Sequence, residues 1–289
     1  MYDQLISVVI PSYKREASLM KRSVLSVLGQ TYHNVEVIVV DDNPNDSELC
    51  EGIKQLCDQF EQVHYVKQDG NQGACAARNL GIEKAAGDWI GFLDDDDEWL
   101  PEKLEESIPY FHNNIGIVAS PGYILVEDDF GGITERREYR YNDTNKEIIV
   151  HEDFLLKDMI GSTSQAIVRK RCFEVCGGFD ISLPARQDYE MWIRISQKYD
   201  VYYVNKKLFN HYMHVGEQIS TNPRKSIVGF TTILKKYNDE FKQYPTAYVR
   251  MNIRIIKAAK FANDMKAMLI AIGRCLCHPV SMVKYCLDK

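Results

Sequence analysis

The first 113 residues alternate between short β-branched apolar runs and longer segments whose apolar residues recur at helical spacing. These patterns predict strands and helices in alternation along the chain. The predicted strands lie at 5–10, 35–40, 63–67 and 88–93, and the predicted helices at 16–29, 46–60, 73–86 and 101–113. Four strand–helix units in succession are typical of an α/β fold with a doubly wound, mostly parallel sheet and helices on both faces.

The rest of the chain has a different pattern. Short apolar runs and Gly-containing turns over 115–150 predict a hairpin excursion, and the spacing at 187–199 predicts an amphipathic helix. From Pro223 onward the pattern is mostly helical. Because no low-complexity linker interrupts the chain, we expect one main domain over 1–222 and a helical C-terminal appendage over 223–289.

Polar residues follow three of the predicted strands directly, at Pro11–Arg15, at Asp41-Asp42 and at Asp94–Asp97. In doubly wound sheets, ligands bind outside the carboxyl ends of the strands. The four adjacent carboxylates repel each other unless a cation lies among them, and Mg²⁺ or Mn²⁺ commonly joins such carboxylates to substrate phosphates. The alternative is a solvated helix start, with Pro101 at the first helical position and Asp97 or Glu98 as a cap. Because the three clusters share one sheet edge, we favour a metal–diphosphate site.

Composition and charge narrow the class of protein. The chain has 289 residues, of which 45% are apolar and 26% charged, as in ordinary globular proteins. No run of about 18 uncharged apolar residues and no secretory signal is visible, so we expect a cytoplasmic protein with reduced cysteines. Residues 249–289 hold eight basic and two acidic side chains, whereas the whole chain carries −6. This segment suits peripheral contact with the anionic inner face of the cytoplasmic membrane, or packing on the domain as a helical lid. The charge distribution of the chain does not indicate nucleic-acid binding.

Five segments resemble, in order and spacing, the motifs of inverting family-2 glycosyltransferases with the GT-A fold. They are S-V-V-I-P-S-Y-K-R (7–15), V-I-V-V-D-D (37–42), G-A-C-A-A-R-N-L-G-I (73–82), W-I-G-F-L-D-D-D-D-E-W (89–99) and G-G-F-D…R-Q-D-Y-E-M-W-I-R (177–194). The resemblance covers about residues 5–220. It implies a nucleotide-binding half over 1–113, an acceptor-side half over 114–222, and transfer of a sugar from a nucleotide diphosphate, most often UDP, to an acceptor hydroxyl.

The resemblance also implies roles for the residues at the strand ends. Asp94-Asp95-Asp96 is similar to the D-x-D motif, in which Asp96 holds Mn²⁺ or Mg²⁺ and Asp95 the ribose, with the register open by one residue. Asp42 is similar to the carboxylate that accepts the uracil N–H, while Asp41 suits an Asx turn. By the same resemblance, the donor site includes Pro11, Tyr13, Arg15, Asp42, Arg78, Asp94 and Asp95.

Two of these expectations leave alternatives open. Arg78 either contacts the donor or holds the aspartate cluster in place. Tyr13 either lines the nucleobase pocket or belongs to the core.

The expected general base is Asp188, which resembles the family's catalytic aspartate at the start of a helix. Its alternative role is helix capping, which Asp favours. The family usually shows Glu-Asp here, whereas this chain has Gln187-Asp188, a departure that concerns recognition of the acceptor. His214 follows in a loop that is similar to one where the family places a histidine near the metal or diphosphate. It is therefore a candidate metal ligand, with an ordinary surface histidine as the alternative.

Three other classes of protein agree less well with the motifs of the sequence. A sugar-nucleotidyltransferase shares the sheet but opens with a Gly-rich loop, whereas the first loop here is P-S-Y-K-R. A Ca²⁺-binding module needs alternating ligands around a turn glycine, and NAD binding needs G-x-G-x-x-G after the first strand. An inactive nucleotide-sugar-binding homologue stays open. We therefore expect a metal-dependent glycosyltransferase that uses a glycan or lipid-linked acceptor in bacterial surface polysaccharide biosynthesis.

Overall fold

The computed structural model describes residues 4–45, 47–112, 114–128, 131–213 and 222–287. The described chain forms two compact units. The first comprises 4–149, 160–179 and 194–213, and the second comprises 150–159, 180–193 and the helices of 222–287. The C-terminal helices therefore group with two segments that come from the expected main domain.

The first unit contains an eight-stranded sheet whose strand order is β3-β2-β1-β4-β10-β6-β11-β9. Its strands are β1 (Ile6–Ser12), β2 (Val35–Asp41), β3 (Val63–Lys67), β4 (Trp89–Phe92), β6 (Ile115–Ala119), β9 (Ile148–Ile149), β10 (Ala166–Arg169) and β11 (Asp200–Tyr203). Its helices are α1 (Ala17–Leu28), α2 (Glu48–Cys57), α3 (Ala74–Lys84), α4 (Lys103–Ser107) and α6 (Lys170–Cys176). The four expected strands of the first 113 residues are confirmed, and they lie side by side in parallel.

The alternation of side chains along β1 explains why helices cover both faces. Ile6, Val8 and Ile10 point to one face, where they pack in the same buried cluster as Met20 of α1. Val9 points to the other face, where α3 approaches closely. A Cβ at Gly81 of α3 would lie 2.3 Å from a methyl carbon of Val9, so only glycine fits there.

The large sheet is mostly parallel, as expected, but it is mixed, because β10 is antiparallel to both β4 and β6 and β9 is antiparallel to β11. One expectation about the first unit differs from the structure. The helix expected over 101–113 is shorter: α4 is followed by a 3-10 turn at Ile108–Tyr110. Pro109 in this turn lacks the N–H that a continuing helix requires. Glu102, rather than Asp97 or Glu98, precedes α4, and its side chain makes no capping hydrogen bond.

The expected hairpin excursion is a second, four-stranded sheet in the order β5-β12-β7-β8. Its strands are β5 (Glu98–Trp99), β7 (Gly122–Glu127), β8 (Ile133–Tyr139) and β12 (Phe209–Met213). The antiparallel β7–β8 pair is the hairpin itself. β5 follows the four aspartates and pairs with β12, so this small sheet brings residues near 98 and 210 together.

The second unit is helical. It contains α5 (His151–Leu156), the first part of α7 (Gln187–Ser196), α8 (Pro223–Lys236), α9 (Asn238–Gln243), α10 (Pro245–Ala262), α11 (Met265–Leu276) and α12 (Pro279–Leu287). Glu190 is fully buried in this unit, where Nζ of Lys236 and the hydroxyl of Tyr237 each lie 2.7 Å from its Oε1. A buried carboxylate requires such partners.

The last two helices expose much of their apolar surface. Leu269, Leu276 and Val280 are at least 60% exposed, and Asp264 caps α11 by accepting a hydrogen bond from the backbone N–H of Ala267. Within the described residues, no single helix combines the length and the hydropathy needed to cross a membrane. The pair Met265–Leu276 and Pro279–Tyr285 meets both criteria only when taken together, across a bend of 102°.

Candidate active site

The carboxyl ends of β1, β2 and β4 meet at one edge of the large sheet, as the sequence predicted. The backbone N–H of Asp42 donates to Ser12, and that of Leu93 donates to Val9. Each chain segment beyond these contacts is polar. The parallel register of the strands is therefore sufficient to bring the three polar clusters together.

Arg15 bridges two neighbouring carboxylates at this edge. Its Nε donates to Oδ1 of Asp95 at 3.1 Å and its Nη2 donates to Oδ2 of Asp96 at 2.6 Å. A guanidinium group suits this task because its donors are fixed in a planar fork. Arg15 is partly exposed, whereas Asp95 is buried.

Arg78 holds a third carboxylate, since its Nη2 donates to Oδ1 of Asp94 at 2.6 Å. The backbone N–H of Asp94 donates to the hydroxyl of Ser164 at 3.1 Å. Of the two roles considered for Arg78, the structure contains the contact with the aspartate cluster. Its contact with a donor stays a prediction.

Two side chains of α1 anchor the backbone of the aspartate segment. Nη2 of Arg22 donates to the carbonyl of Asp96 at 3.0 Å, and the hydroxyl of Ser23 donates to the carbonyl of Asp97 at 2.7 Å. These contacts fix the direction in which the neighbouring carboxylates point. Neither contact was predicted from the sequence, because the pattern of an amphipathic helix does not show which distant group a Ser or Arg side chain reaches.

Asp97 is fully buried and pairs with a histidine from the small sheet. Nδ1 of His211 lies 2.8 Å from Oδ1 of Asp97, while Oδ2 of Asp97 is buried without a hydrogen-bond partner. Burial lowers the pKa of His211, but the hydrogen bond and charge of Asp97 outweigh this effect and raise that pKa to about 9. At neutral pH the pair is therefore an ion pair, and His211 is a residue of this region to which the sequence alone assigned no role.

The protein itself supplies cations to all four aspartates. Arg15, Arg78 and His211 each contact at least one of them. A metal ion is therefore not needed to offset all of the repulsion among the four carboxylates, because these side chains offset part of it. The compensation is partial: burial raises the pKa of Asp95 to about 7 in spite of the opposing charge of Arg15.

The donor set at Asp96 suits a divalent metal that also binds substrate phosphates. Among the described residues, no group of three or more His, Cys, Asp or Glu side chains is arranged to hold a metal ion. Mg²⁺ commonly binds through only one or two carboxylates and completes its shell with phosphates and water. The Asp96 side chain is 26% exposed, and its ion pair with Arg15 uses only Oδ2. A hard cation therefore fits at this carboxylate, provided that the substrate supplies further ligands.

Asp41 and Asp42 have different surroundings. Oδ1 of Asp41 accepts from the backbone N–H and the side-chain amide of Asn43, which is the Asx turn that the sequence predicted. The carboxylate of Asp42 accepts three hydrogen bonds, from the Gln68 side chain and from the backbone N–H groups of Gln72 and Gly73. Asp42 thus orders the loop that precedes α3, and its contact with a nucleobase stays a prediction.

A cavity of about 380 Å³ opens at the ends of β2 and β3. It is lined by Asn45, Cys50, Tyr65, Lys67, Gln68 and Asp69. Pro11 is the last residue but one of β1, and Tyr13, which is 42% exposed, lies in the loop that follows this strand. Tyr13 is therefore not a core residue. Its exposed ring suits stacking on a planar base.

Asp188 belongs to the second unit and lies in the first turn of α7. Its Oδ1 accepts from the backbone N–H of Tyr189 at 2.7 Å. Arg186, two residues earlier, has a φ of 66°, which is uncommon for a residue other than glycine. Strained backbone of this kind clusters at functional sites, and its position next to Asp188 motivates the role proposed below. The candidate ligand His214 lies outside the described residues.

Relatives that this chain resembles in sequence are named as glycosyltransferases. A model of the family described as "Glycosyl transferase family 2" matches residues 7–176. An "Uncharacterized glycosyltransferase" of Haemophilus influenzae is 29% identical over 276 residues, which cover 90% of each chain. TuaG of Bacillus subtilis, named as a teichuronic acid biosynthesis glycosyltransferase, is 29% identical over 77% of this chain and 84% of its own.

WcaA of Escherichia coli, named as a colanic acid biosynthesis glycosyl transferase, is 28% identical over 84% of this chain and 85% of its own. A match to another relative covers 66% of this chain and 64% of that relative, and a longer relative is covered to only 36% of its length. Among solved structures, S. aureus TarS 1–349 in complex with UDP-GlcNAc superimposes with a TM-score of 0.60 at 14% identity, over 92% of this chain and 90% of that one. At this identity the likeness concerns the GT-A fold alone, which it confirms.

Proposed function

Because the chain belongs to glycosyl transferase family 2, we propose that it transfers one sugar from a UDP-sugar to a hydroxyl of a glycan or lipid-linked acceptor in bacterial surface polysaccharide biosynthesis. Inversion at the anomeric carbon is characteristic of this family. The relatives named for teichuronic and colanic acid biosynthesis support the choice of pathway class. Membership in this family also favours transfer over the alternative of a sugar-nucleotidyltransferase.

The observation that carries the proposal is the order within the aspartate segment. Asp95 and Asp97 are buried, whereas the side chains of Asp94 and Asp96 are 30% and 26% exposed and each is held by an arginine. A donor that enters at this edge meets two accessible carboxylates, each with a defined orientation. Preorganised groups of this kind are what electrostatic catalysis requires.

The roles of the side chains follow from their positions. Asp96 would hold a Mg²⁺ or Mn²⁺ ion, which would supply positive charge for the departing diphosphate. Arg15 fixes the orientation of Asp95 and Asp96 by donating to both carboxylates. Asp95 then faces the ribose. The exposed Tyr13 stacks on the base, and Asp42 accepts its imino N–H. These assignments rest on the family resemblance together with the contacts described above.

Asp188 serves in this proposal as the general base that removes the proton of the acceptor hydroxyl. A carboxylate is suited to this role when it lies within hydrogen-bond reach of that hydroxyl. The place of Asp188 in the first turn of α7, two residues after the strained Arg186, supports a functional rather than a purely capping role.

We also propose that α11 and α12 contact an anionic membrane surface peripherally. Their exposed leucines and valines lie in a segment, 249–289, with eight basic and only two acidic side chains. Apolar and basic residues in this combination bind at the interface of anionic lipids. A lipid-linked acceptor is found at such a surface, so both proposals place the chain at the inner face of the cytoplasmic membrane.

The experiment that tests the proposed function is thermal unfolding with a panel of UDP-, GDP- and dTDP-sugars, with and without Mn²⁺ or Mg²⁺. We expect one UDP-sugar to raise the melting temperature of the wild type in the presence of metal, and the metal-dependent part to disappear in Asp96→Ala. Asp143→Ala, a change of the same kind outside this site, is the control. If no nucleotide sugar stabilises the wild type with either metal, the proposed function is wrong.

A further inference from the structure

The second unit contains a cavity of about 480 Å³ that none of the roles above uses. Its lining includes three cationic side chains, Arg186, Arg254 and Lys257, and two aromatic rings, Phe230 and Phe261. Among the described residues that line it, none is acidic. The cavity therefore combines concentrated positive charge with apolar surface.

Arg186 is held in this cavity by its neighbours. Its Nη2 donates to the hydroxyl of Ser226 at 3.2 Å, and its guanidinium lies 4.8 Å from the ring centre of Phe230. Gly229 allows α8 to approach closely enough for these contacts. A Cβ at this position would lie only 2.5 Å from the carbonyl oxygen of Ala185. These contacts offset the energetic cost of the positive φ of Arg186, and strained backbone of this kind is common at functional sites.

The two arginines keep N–H donors that no described residue accepts. Nη2 of Arg254 donates to the carbonyl of Leu156 at 2.8 Å, but its Nη1 is buried without a partner. Nε of Arg186 is likewise buried without a partner. Each guanidinium has five N–H donors, so others besides these are left for an anionic oxygen in the cavity that the two side chains line.

The charge of the cavity favours a multiply charged anion. Lys257 is exposed, and no carboxylate of the described chain forms an ion pair with it. Three cations without a counter-charge repel each other. A phosphate ester carries up to two negative charges and three free oxygens, so it pairs with all three cations more completely than a single carboxylate does.

We propose that this cavity binds a phosphate group of the acceptor, and that the ring of Phe261 contacts the apolar part of the same molecule. This inference rests on the proposed function, because it assigns the site to the acceptor of glycosyl transfer. Two observations connect the cavity to that substrate. Arg186 lies two residues before Asp188, the expected base, and Phe261 is 81% exposed at the end of α10, directly before the apolar helices α11 and α12.

The test measures binding of three probes to the full chain by ³¹P NMR titration, with excess UDP present to occupy the donor site. The probes are inorganic phosphate, glycerol phosphate and a short isoprenyl phosphate. We expect Arg254→Gln to weaken binding of each probe about tenfold or more, as loss of a charge-assisted hydrogen bond implies. Lys257→Gln, an exposed substitution that does not disturb the core, is expected to weaken binding about threefold or more.

Lys260→Gln is the matched control, because it removes the same charge from the same helix outside the cavity. Equal binding by Lys260→Gln, Lys257→Gln and Arg254→Gln would overturn the inference, as would a wild type that binds none of the probes. Phe261→Ser distinguishes the sources of the phosphate: selective loss of isoprenyl phosphate binding identifies a lipid carrier, and equal binding identifies a phosphorylated glycan and removes the role of Phe261. Failure of the nucleotide-sugar panel concerns the proposed function instead, since these titrations do not depend on a donor sugar.

Discussion

Nδ1 of His211 lies 2.8 Å from Oδ1 of Asp97 although 114 residues separate the two along the chain. The contact exists because β5, which follows the aspartates, pairs with β12, which contains the histidine. The small sheet therefore fixes the end of the aspartate segment from one side, while α1 fixes its backbone from the other.

Removing His211 is expected to destabilise the fold. His211→Ala leaves the carboxylate of Asp97 buried without its cationic partner, and breaking a buried pair in this way costs about 3–5 kcal/mol. Urea unfolding measures the loss. The double variant with Asp97→Asn is expected to recover part of it, because the uncompensated charge is gone.

The matched control for this experiment is His64→Ala. His64 is exposed and lies 3.5 Å from Glu36, so its loss is expected to cost less than about 1 kcal/mol. Equal effects of the two histidine substitutions, or strict additivity of the two changes at the buried pair, would contradict the assigned ion pair.

Substitution of Arg15 is expected to reduce transfer without unfolding the protein. Arg15→Gln frees Asp95 and Asp96 from their shared partner, and misplaced groups at a reacting centre cost about 100-fold in rate. Arg15→Lys is expected to recover only part, because one ammonium group does not reproduce the two-pronged contact. Steady-state transfer rates with the sugar found in the panel test this.

Arg171→Gln serves as the control, since it removes an arginine from an exposed ion pair with Glu174. We expect its rate to equal that of the wild type. A rate for Arg15→Gln within about twofold of the wild type would show that the arginine does not orient the site.

Substitution of Asp188 separates its two possible roles. Loss of a general base lowers the rate about 10²–10⁴-fold, so Asp188→Asn is expected to abolish most transfer while the affinity for the nucleotide sugar changes less than about twofold. Asp239→Asn, on the exposed part of the same unit, is the control. Weakened donor binding or a lowered melting temperature in Asp188→Asn would make the residue a scaffold instead.

One buried lysine is expected to make a contribution to the free energy of unfolding that rises with pH. Burial lowers the pKa of Lys103 to about 7, against an ordinary value near 10.5, while its Nζ donates to Ser120 at 3.0 Å and to the carbonyl of Gln165. Between these two pKa values the unfolded chain binds one more proton than the folded chain. The contribution of Lys103 to the free energy of unfolding therefore increases by about 2 kcal/mol from pH 7 to pH 9, while the raised pKa of His211, about 9, gives an opposite contribution over the same range.

Urea unfolding at several pH values, compared with Lys103→Met, isolates this contribution, because the variant lacks the titrating group. Lys206→Met, at an exposed lysine, should keep the wild-type slope. The same pH slope in the wild type and in Lys103→Met would rule out a titrating Lys103.

The apolar face of the last helices is expected to bind vesicles. At low salt we expect the full chain to float with anionic liposomes, and Leu269→Ser with Val280→Ser to reduce the floating fraction several-fold through lost apolar contact. Leu19→Ser with Leu25→Ser changes two exposed leucines of α1 and is the control. A wild type that stays at the bottom of the gradient would exclude the membrane contact.

Local patterns in the sequence were sufficient for much of the large sheet and its polar edge. Alternating β-branched runs and helical spacing determine β1 to β4 and α1 to α3, because burial of one face favours a single periodicity. The parallel order then brings Arg15, Asp42 and Asp94–Asp97 to one edge by geometry alone. The Asx turn of Asp41 was also predictable, since its contacts lie within three residues.

Only the tertiary structure decided which partner each of these side chains has. Arg15 reaches across 80 residues, Ser23 across 74 and His211 across 114, and no local pattern encodes pairings at such separations. The antiparallel β10 and the cationic cavity of the second unit depend in the same way on segments that meet only after folding. The sequence by itself thus determined which residues carry the chemistry, because periodicity and strand ends are local. The fold decided how their charges are balanced, because electrostatic partners are chosen by distance in space.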